Sequence, residues 1–222
     1  MSKQTSHGVL YVAYGDPARR ECTFSLISLA DHMRDALVSV ISNRPLFNDQ
    51  PKPWPHVSTI TMPDDVTDPG ARRRKLASVT LSPFEATLYL DADTRIHGSL
   101  APLFELLDHW PMILTYSVRQ GEDVLGNCSP EDRGATFSAL GTRDVLGLQC
   151  GVLGFRKNDP RVRRLFAAWS DEWEQFKDRD QAAFLRALHR EPLPIHLLGR
   201  DWNGGAIIEH RYGHAARPRK AA

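Results

Sequence analysis

Short apolar runs alternate with segments of helical periodicity along the chain, and this alternation limits the folds that it can adopt. Six runs are rich in β-branched and aromatic side chains, as buried strands are: residues 8–14, 38–42, 57–61, 86–90, 111–116 and 148–155. Five segments have apolar residues at helical spacing: residues 22–38, 72–81, 100–107, 161–176 and 180–188. Strands that alternate with helices predict an α/β fold in which helices flank a mostly parallel central sheet.

Two stretches lack a clear periodicity. Gly15-Asp16-Pro17 is expected to form a turn after the first strand, because glycine and proline interrupt regular structure. Residues 120–140 are polar, and we assign them to a loop or lid, since long loops commonly carry function.

The charge balance argues against a polyanionic partner. The 222 residues carry 28 basic and 27 acidic side chains, for a net charge of +1, and no long polar linker divides them. A nucleic-acid ligand is therefore not expected, and residues 1–222 are predicted to form a single domain. The mean hydropathy of −0.38 argues against a membrane span.

The amino terminus and the cysteines predict a cytoplasmic protein. The first apolar stretch is too short for the core of a signal peptide. The 3 cysteines are odd in number and lack metal-ligand spacing, so reduced thiols are expected. Residues 215–222 are predicted to be a flexible basic tail, whose charge would allow peripheral contact with an anionic group or an anionic lipid surface.

Two aspartates follow the predicted strand at residues 86–90. Asp91 and Asp93 are two residues apart on an extended segment, so we expect their carboxylates to point the same way from the carboxyl end of the strand. Ligands of open α/β sheets bind at that end. Two carboxylates with the small Ala92 between them suit Mg²⁺ or Mn²⁺, which would neutralise a departing diphosphate. The plainer alternative is a strand-end turn with two solvated aspartates.

Four elements in and after this motif resemble the GT-A glycosyltransferases, nucleotide-diphospho-sugar transferases with an Asp-x-Asp motif. They are Leu88-Tyr89-Leu90-Asp91-Ala92-Asp93-Thr94, Cys150-Gly151-Val152-Leu153-Gly154-Phe155, Asp180-Gln181 and Ile207-Ile208-Glu209-His210-Arg211-Tyr212-Gly213. Their order is most similar to glycosyltransferase family 8, the glycogenin-like family. The resemblance implies a GT-A fold and transfer of a sugar from a nucleotide-sugar donor, expected to be a UDP-sugar, to a hydroxyl acceptor. It also implies retention at the anomeric carbon.

The resemblance further implies roles for single residues. His210 matches the third metal ligand of the family and would join Asp91 and Asp93 on Mn²⁺ or Mg²⁺, with His214 as a competing candidate. Asp180 would bind hydroxyls of the donor sugar, and Gln181 would face the reacting carbon. Asp180 is equally suited to capping the helix that begins near Gln181.

Residues around the nucleotide follow from the same resemblance. Lys75 matches a basic position near the diphosphate, and Arg72, three residues earlier, would share its helical face. Tyr14, at the end of the first strand, matches the place where the base rests, and Asp16 would bind an edge of the base or ribose. A solvated basic face and a core tyrosine are the structural alternatives.

The chain departs from the family at one place that bears on the donor. Gln149-Cys150 replaces the usual Asn-Ser or Asn-Ala before Gly151, which leaves the donor sugar open, and Asn203 is a candidate to lie near the site. Two other functions remain as alternatives. One is a haloacid-dehalogenase-type phosphatase, which also places Asp-x-Asp after an apolar strand, although usually after the first one. The other is a module that binds nucleotide-sugars without turnover.

Overall fold

The computed structural model describes residues 6–47, 56–64 and 71–212, so the predicted basic tail and His214 lie outside the described ranges. Within these ranges the chain forms nine strands: β1 His7–Val12, β2 Val38–Ser42, β3 Val57–Thr61, β4 Ala86–Asp91, β5 Thr94–Ile96, β6 Met112–Gln120, β7 Leu146–Arg156, β8 Ile195–Leu198 and β9 Ile208–His210. It also forms seven α-helices: α1 Gly15–His32, α2 Arg72–Leu76, α3 Ser78–Leu81, α4 Ala101–His109, α5 Pro130–Leu140, α6 Pro160–Phe176 and α7 Asp180–Arg190.

Seven of the strands form one sheet in the order β3-β2-β1-β4-β7-β6-β8, while β5 pairs with β9 in a separate two-stranded sheet. The strands from β3 to β4 are parallel, as are β6 and β8, and β7 runs antiparallel to β4 and β6. This confirms the predicted α/β fold with a mostly parallel sheet. In the sheet, β2 and β3 lie on one side of β1, whereas β4, the next strand along the chain, lies on its other side. The strand order therefore reverses between β1 and β4. Ligands of open α/β sheets bind at such a reversal.

Apolar side chains cover both faces of the sheet. The core on one face includes Leu26 and Leu29 of α1 together with Leu103 and Leu107 of α4. The core on the other face is formed with α6 and α7, where the rings of Trp169 and Phe184 have centroids 4.8 Å apart. The sheet is therefore the middle of three layers, and its functional groups can emerge only at the strand ends. None of the helices in the described ranges is both long and apolar enough to cross a membrane.

Helix α1 begins earlier than predicted. It spans Gly15–His32, so the prediction of a turn at Gly15-Asp16-Pro17 is wrong. Gly15 has a φ of +78°, which glycine adopts without steric cost and which turns the chain from strand into helix. Pro17 is tolerated in the first helical turn because the N–H groups there have no acceptor within the helix.

The prediction of a loop or lid at residues 120–140 is also wrong. A 3₁₀ helix occupies Gly121–Leu125, and α5 follows it. Ser129 caps α5 by accepting a hydrogen bond from the backbone N–H of Asp132 at 3.2 Å. The buried carboxylate of Asp132 in turn pairs with the guanidinium of Arg186 on α7, with Oδ1 and Nη1 2.5 Å apart. This ion pair holds α5 against the core.

Candidate functional site

Asp91, Asp93 and His210 converge beyond the carboxyl end of β4. Asp91 is the last residue of β4, and Asp93 lies in the turn that leads into β5. Strand β5 pairs with β9 so that Thr94 lies opposite His210. One potential ligand atom from each of the three residues lies within 4.8 Å of the other two. The turn and the β5–β9 pairing therefore bring the three side chains together, rather than the expected alternation along one extended segment.

The imidazole of His210 faces both carboxylates. Its Nε2 lies 3.1 Å from Oδ1 of Asp93 and 3.7 Å from Oδ2 of Asp91. The opposite nitrogen, Nδ1, lies 2.7 Å from Oδ1 of Asn203, and the ring stacks on Tyr212 with centroids 4.2 Å apart. Asn203 thus contacts His210 on the side of the ring that is opposite the two carboxylates.

Gly151 on β7 leaves the space that the site occupies. A Cβ atom at this position would lie 2.3 Å from Cε1 of His210 and 2.8 Å from Oδ2 of Asp91. The neighbouring Cys150 is buried, and burial raises the pKa of its thiol well above the ordinary value. The thiol therefore stays protonated. A glycine is required at position 151, because any Cβ atom there would overlap His210.

Lys75 connects the Asp-x-Asp motif with Asp180. Its Nζ lies 3.2 Å from Oδ1 of Asp91 and 2.7 Å from Oδ2 of Asp180. Burial by itself lowers the pKa of Lys75, but the carboxylates of Asp180 and Asp91 outweigh this and raise the pKa well above its ordinary value. Tyr89 adds a hydrogen bond from its hydroxyl to Oδ1 of Asp91 at 2.8 Å. Lys75 is accordingly a buried cation paired with two carboxylates.

The predicted helix at residues 72–81 is two short helices, α2 and α3, with a break at Ala77. Ser78, Val79 and Thr80 favour helix less than the residues of α2 do, which is consistent with the break. Arg72, one turn before Lys75, adds positive charge that helps to lower the pKa of Asp180. The basic segment is therefore divided between a buried lysine and more accessible arginines.

Asp180 and Gln181 begin α7. The N-cap of this helix is Arg179, without a side-chain cap, and the carboxylate of Asp180 bonds Lys75, so the capping alternative is wrong. Burial raises the pKa of Asp180, but Lys75 outweighs it and the net pKa lies below the ordinary value. Among the described residues, Nε2 of Gln181 is buried and has no hydrogen-bond partner. Buried amide groups normally have one, so this atom is a candidate to meet a ligand.

Three further predicted site residues follow the ends of β1 and β4. The hydroxyl of Tyr14 donates to the carbonyl of Met62 at 3.3 Å, which links the ends of β1 and β3. Asp16 has a largely exposed side chain and pairs with Arg19 and with Arg44. Ala92 lies in the turn between the two aspartates and packs against the core beneath α1 and α4.

The mixed sheet with an Asp-x-Asp turn at its strand-order reversal is the architecture of the GT-A glycosyltransferases, and solved structures confirm the fold. The chain is similar to the galactosyltransferase LgtC in complex with donor and acceptor sugar analogues, at 15% identity and a TM-score of 0.58, over 87% of this chain and 73% of LgtC. It is similar to apo mouse xyloside xylosyltransferase 1 at 13% identity and a TM-score of 0.61, over 96% of this chain and 99% of that one.

A third similar structure is the bifunctional glycosyltransferase WbbM, at 13% identity and a TM-score of 0.62, where the match covers 91% of this chain but only 40% of WbbM. No protein-family model and no curated protein matches the sequence. The predicted GT-A fold is confirmed, and assignment to family 8 stays a prediction. The phosphatase alternative usually has its Asp-x-Asp motif after the first strand, whereas here the motif follows the fourth strand of the chain, in a sheet that is similar to those of solved glycosyltransferases.

Tyr89 and Thr115 belong to the site, although the sequence pattern gave neither of them a role. For Tyr89 a signal exists, because its position two residues before Asp91 places both side chains on the same side of β4. Thr115 accepts a hydrogen bond from Nδ2 of Asn203 at 2.8 Å. No local pattern indicates that contact, because the two residues are 88 positions apart.

Proposed function

We propose that this chain is a metal-dependent glycosyltransferase that transfers a sugar from a UDP-sugar to a hydroxyl acceptor with retention at the anomeric carbon. The convergence of Asp91, Asp93 and His210 at the strand-order reversal is the observation that carries the proposal. The GT-A fold supports it, but a fold alone does not define a chemistry. The function therefore depends on this group of side chains and on its neighbours.

The three side chains fit a divalent cation. Two adjacent ligands of an octahedral ion are about 3 Å apart when each metal–ligand distance is about 2.1 Å. His210 Nε2 and Asp93 Oδ1 are 3.1 Å apart. An imidazole nitrogen suits Mn²⁺ better than Mg²⁺, so we expect Mn²⁺ to bind more tightly. The ion, when bound, neutralises charge on the departing diphosphate.

We assign the donor sugar to Asp180 and Gln181. The lowered pKa of Asp180 keeps its carboxylate ionised, so it can accept hydrogen bonds from sugar hydroxyls. The unpartnered Nε2 of Gln181 supplies a donor for an oxygen near the reacting carbon. Lys75 contacts both Asp180 and Asp91, so it couples the sugar-binding carboxylate to the metal-binding one.

We assign the nucleotide to Tyr14, Asp16 and Arg72. Tyr14 and Asp16 follow β1, the strand beside β4 in the sheet, and Asp16 exposes 75% of its side chain. Arg72 is half-buried and lies near Asp180, where its charge can balance that of the diphosphate. Lys75 is already paired with the carboxylates of Asp91 and Asp180, so we expect Arg72 to bind phosphate more strongly.

A thermal-shift titration with UDP and GDP, with and without Mn²⁺, tests the proposal on the native chain and on the Asp91→Ala/Asp93→Ala variant. A ligand at 100 times its Kd stabilises the native state by about 2.7 kcal/mol. For a chain of this size that corresponds to a rise in Tm of roughly 5–10 °C. We expect this rise for UDP with Mn²⁺ in the native chain and none in the variant.

The matched control is Asp31→Ala/Asp35→Ala, because both residues are exposed, with Asp31 in the last turn of α1 and Asp35 in the loop that precedes β2, at the end of the sheet opposite the site. This variant should respond to UDP and Mn²⁺ as the native chain does. A UDP response that does not need metal, or that survives loss of Asp91 and Asp93, contradicts the proposed ligand set. Hydrolysis of UDP-sugars by the native chain then separates an enzyme from a binding module, since a module would show the shift without turnover.

A further inference from the structure

We propose that Asn203 is the positioning residue that fixes the tautomer of His210 and so presents the Nε2 lone pair to the metal. The inference rests on the metal site of the proposed function. It adds a residue that binds neither metal nor sugar but determines how one ligand can act.

The contact between the two side chains defines the proton position. Nδ1 of His210 lies 2.7 Å from Oδ1 of Asn203. An amide oxygen only accepts hydrogen bonds, so Nδ1 must carry the proton that is donated to it. A neutral imidazole protonated on Nδ1 has its lone pair on Nε2. That nitrogen is the one that faces Asp93 and Asp91.

The orientation of the amide is consistent with this assignment. Nδ2 of Asn203 donates to Oγ1 of Thr115 at 2.8 Å, and Thr115 is fully buried on β6. The backbone carbonyl of Asn203 accepts from the hydroxyl of Tyr212 at 3.2 Å, while the ring of Tyr212 stacks on His210. Asn203 is 5% exposed, so its amide is bonded to protein groups on both sides rather than to bulk water.

The opposite tautomer would prevent His210 from binding a metal ion through Nε2. A proton on Nε2 would point at the carboxylates of Asp93 and Asp91, where it could donate to Asp93 but leave no lone pair for a cation. An aliphatic side chain at position 203 would remove the acceptor at Nδ1 and make that tautomer the favoured one. Residues that hydrogen-bond a metal ligand from behind typically change metal affinity by roughly 10–100-fold when they are lost.

Two substitutions of similar size separate hydrogen bonding from packing. Asn203→Leu keeps the number and branching of the side-chain heavy atoms but removes the acceptor, whereas Asn203→Asp has only acceptor oxygens and must receive the Nδ1 proton. In Asn203→Asp the hydroxyl of Thr115 can donate to the second carboxylate oxygen. Melting curves of both variants confirm that they are folded before any other measurement.

The first readout is long-range ¹H–¹⁵N NMR of the metal-free proteins, because the ¹⁵N signals of the ring show which nitrogen carries the proton. The signals of His210 are assigned by their loss in His210→Ala. We expect the Nδ1–H tautomer in the native chain and in Asn203→Asp, and the Nε2–H tautomer in Asn203→Leu. A purely structural role for Asn203 would leave the tautomer unchanged.

The second readout is Mn²⁺ affinity, measured from the EPR signal of free Mn²⁺. Asn203→Leu should bind Mn²⁺ roughly 10–100-fold more weakly than the native chain, while Asn203→Asp keeps near-native affinity. Native affinity or an unchanged tautomer in Asn203→Leu would overturn the role of Asn203. Native affinity in His210→Ala would instead refute the ligand set of the proposed function, and with it the route by which Asn203 acts.

Discussion

Replacement of Lys75 by methionine tests how the site holds its carboxylates together. Methionine keeps most of the length and apolar volume of the lysine stem but removes the ammonium group. Asp91 and Asp180 then lose a partner at 3.2 Å and 2.7 Å, respectively, while both remain in a partly buried environment. Removal of one partner from a buried ion pair costs about 3–5 kcal/mol, because the other charge is left without compensation.

The pH dependence of this loss has a definite sign. In the native chain the pKa of Asp180 is lowered, so its contribution to stability is present above the unfolded pKa of about 3.9 and is lost as pH falls through the folded value. Without Lys75, burial is the largest remaining influence and raises the folded pKa of Asp180. The variant should therefore be most destabilised near neutral pH and should recover relative to the native chain as Asp180 becomes protonated.

Urea unfolding at about pH 7 and about pH 4.5 measures both effects. The native-minus-variant difference in unfolding free energy should be about 3–5 kcal/mol at neutral pH and clearly smaller at the acidic pH. Lys177→Met is the control, because Lys177 is half exposed and 3.8 Å from Glu174, and it should cost less than about 1 kcal/mol. A Lys75→Met penalty that does not change with pH would refute the coupling of Lys75 to Asp180.

Four further substitutions each lead to a separate prediction. Gly151→Ala should abolish Mn²⁺ binding in EPR, since its Cβ would overlap His210, whereas Gly134→Ala has free space and should stabilise α5 by about 0.5–1 kcal/mol in urea unfolding. Gln181→Leu should raise the unfolding free energy by about 1 kcal/mol by removing an unpaired buried donor, yet reduce sugar transfer in an activity assay. Arg186→Met should cost about 3–5 kcal/mol in the same unfolding assay, because it leaves Asp132 without its buried partner.

The strands were predictable where the local pattern was strong. Strands β2 and β3 have the predicted bounds, and β4 differs only by including Asp91. These segments are apolar enough that burial determines their conformation, and burial is visible in the sequence. The helix α5 was missed although Ser129 and Pro130 form a recognisable helix start, because its apolar periodicity is weak.

Strands β5, β8 and β9 were not predicted, since segments of three or four residues are too short to show periodicity. These strands nevertheless determine the geometry of the site, because β5 and β9 pair so that Thr94 lies opposite His210. A sequence pattern could propose His210 by resemblance but could not derive its contact with Asp93, from which it is separated by 117 positions.

The sequence by itself determined the alternation of strands and helices, the GT-A resemblance and the pair Asp91 and Asp93, because each depends on residues close together in the chain. Only the tertiary structure decided which groups surround that pair. The burial of Lys75 between two carboxylates and the chain of contacts from Thr115 through Asn203 to His210 arise from strand order and packing. Hydrogen bonds and charge pairs act over a few ångströms, and local sequence does not specify which distant residues come that near.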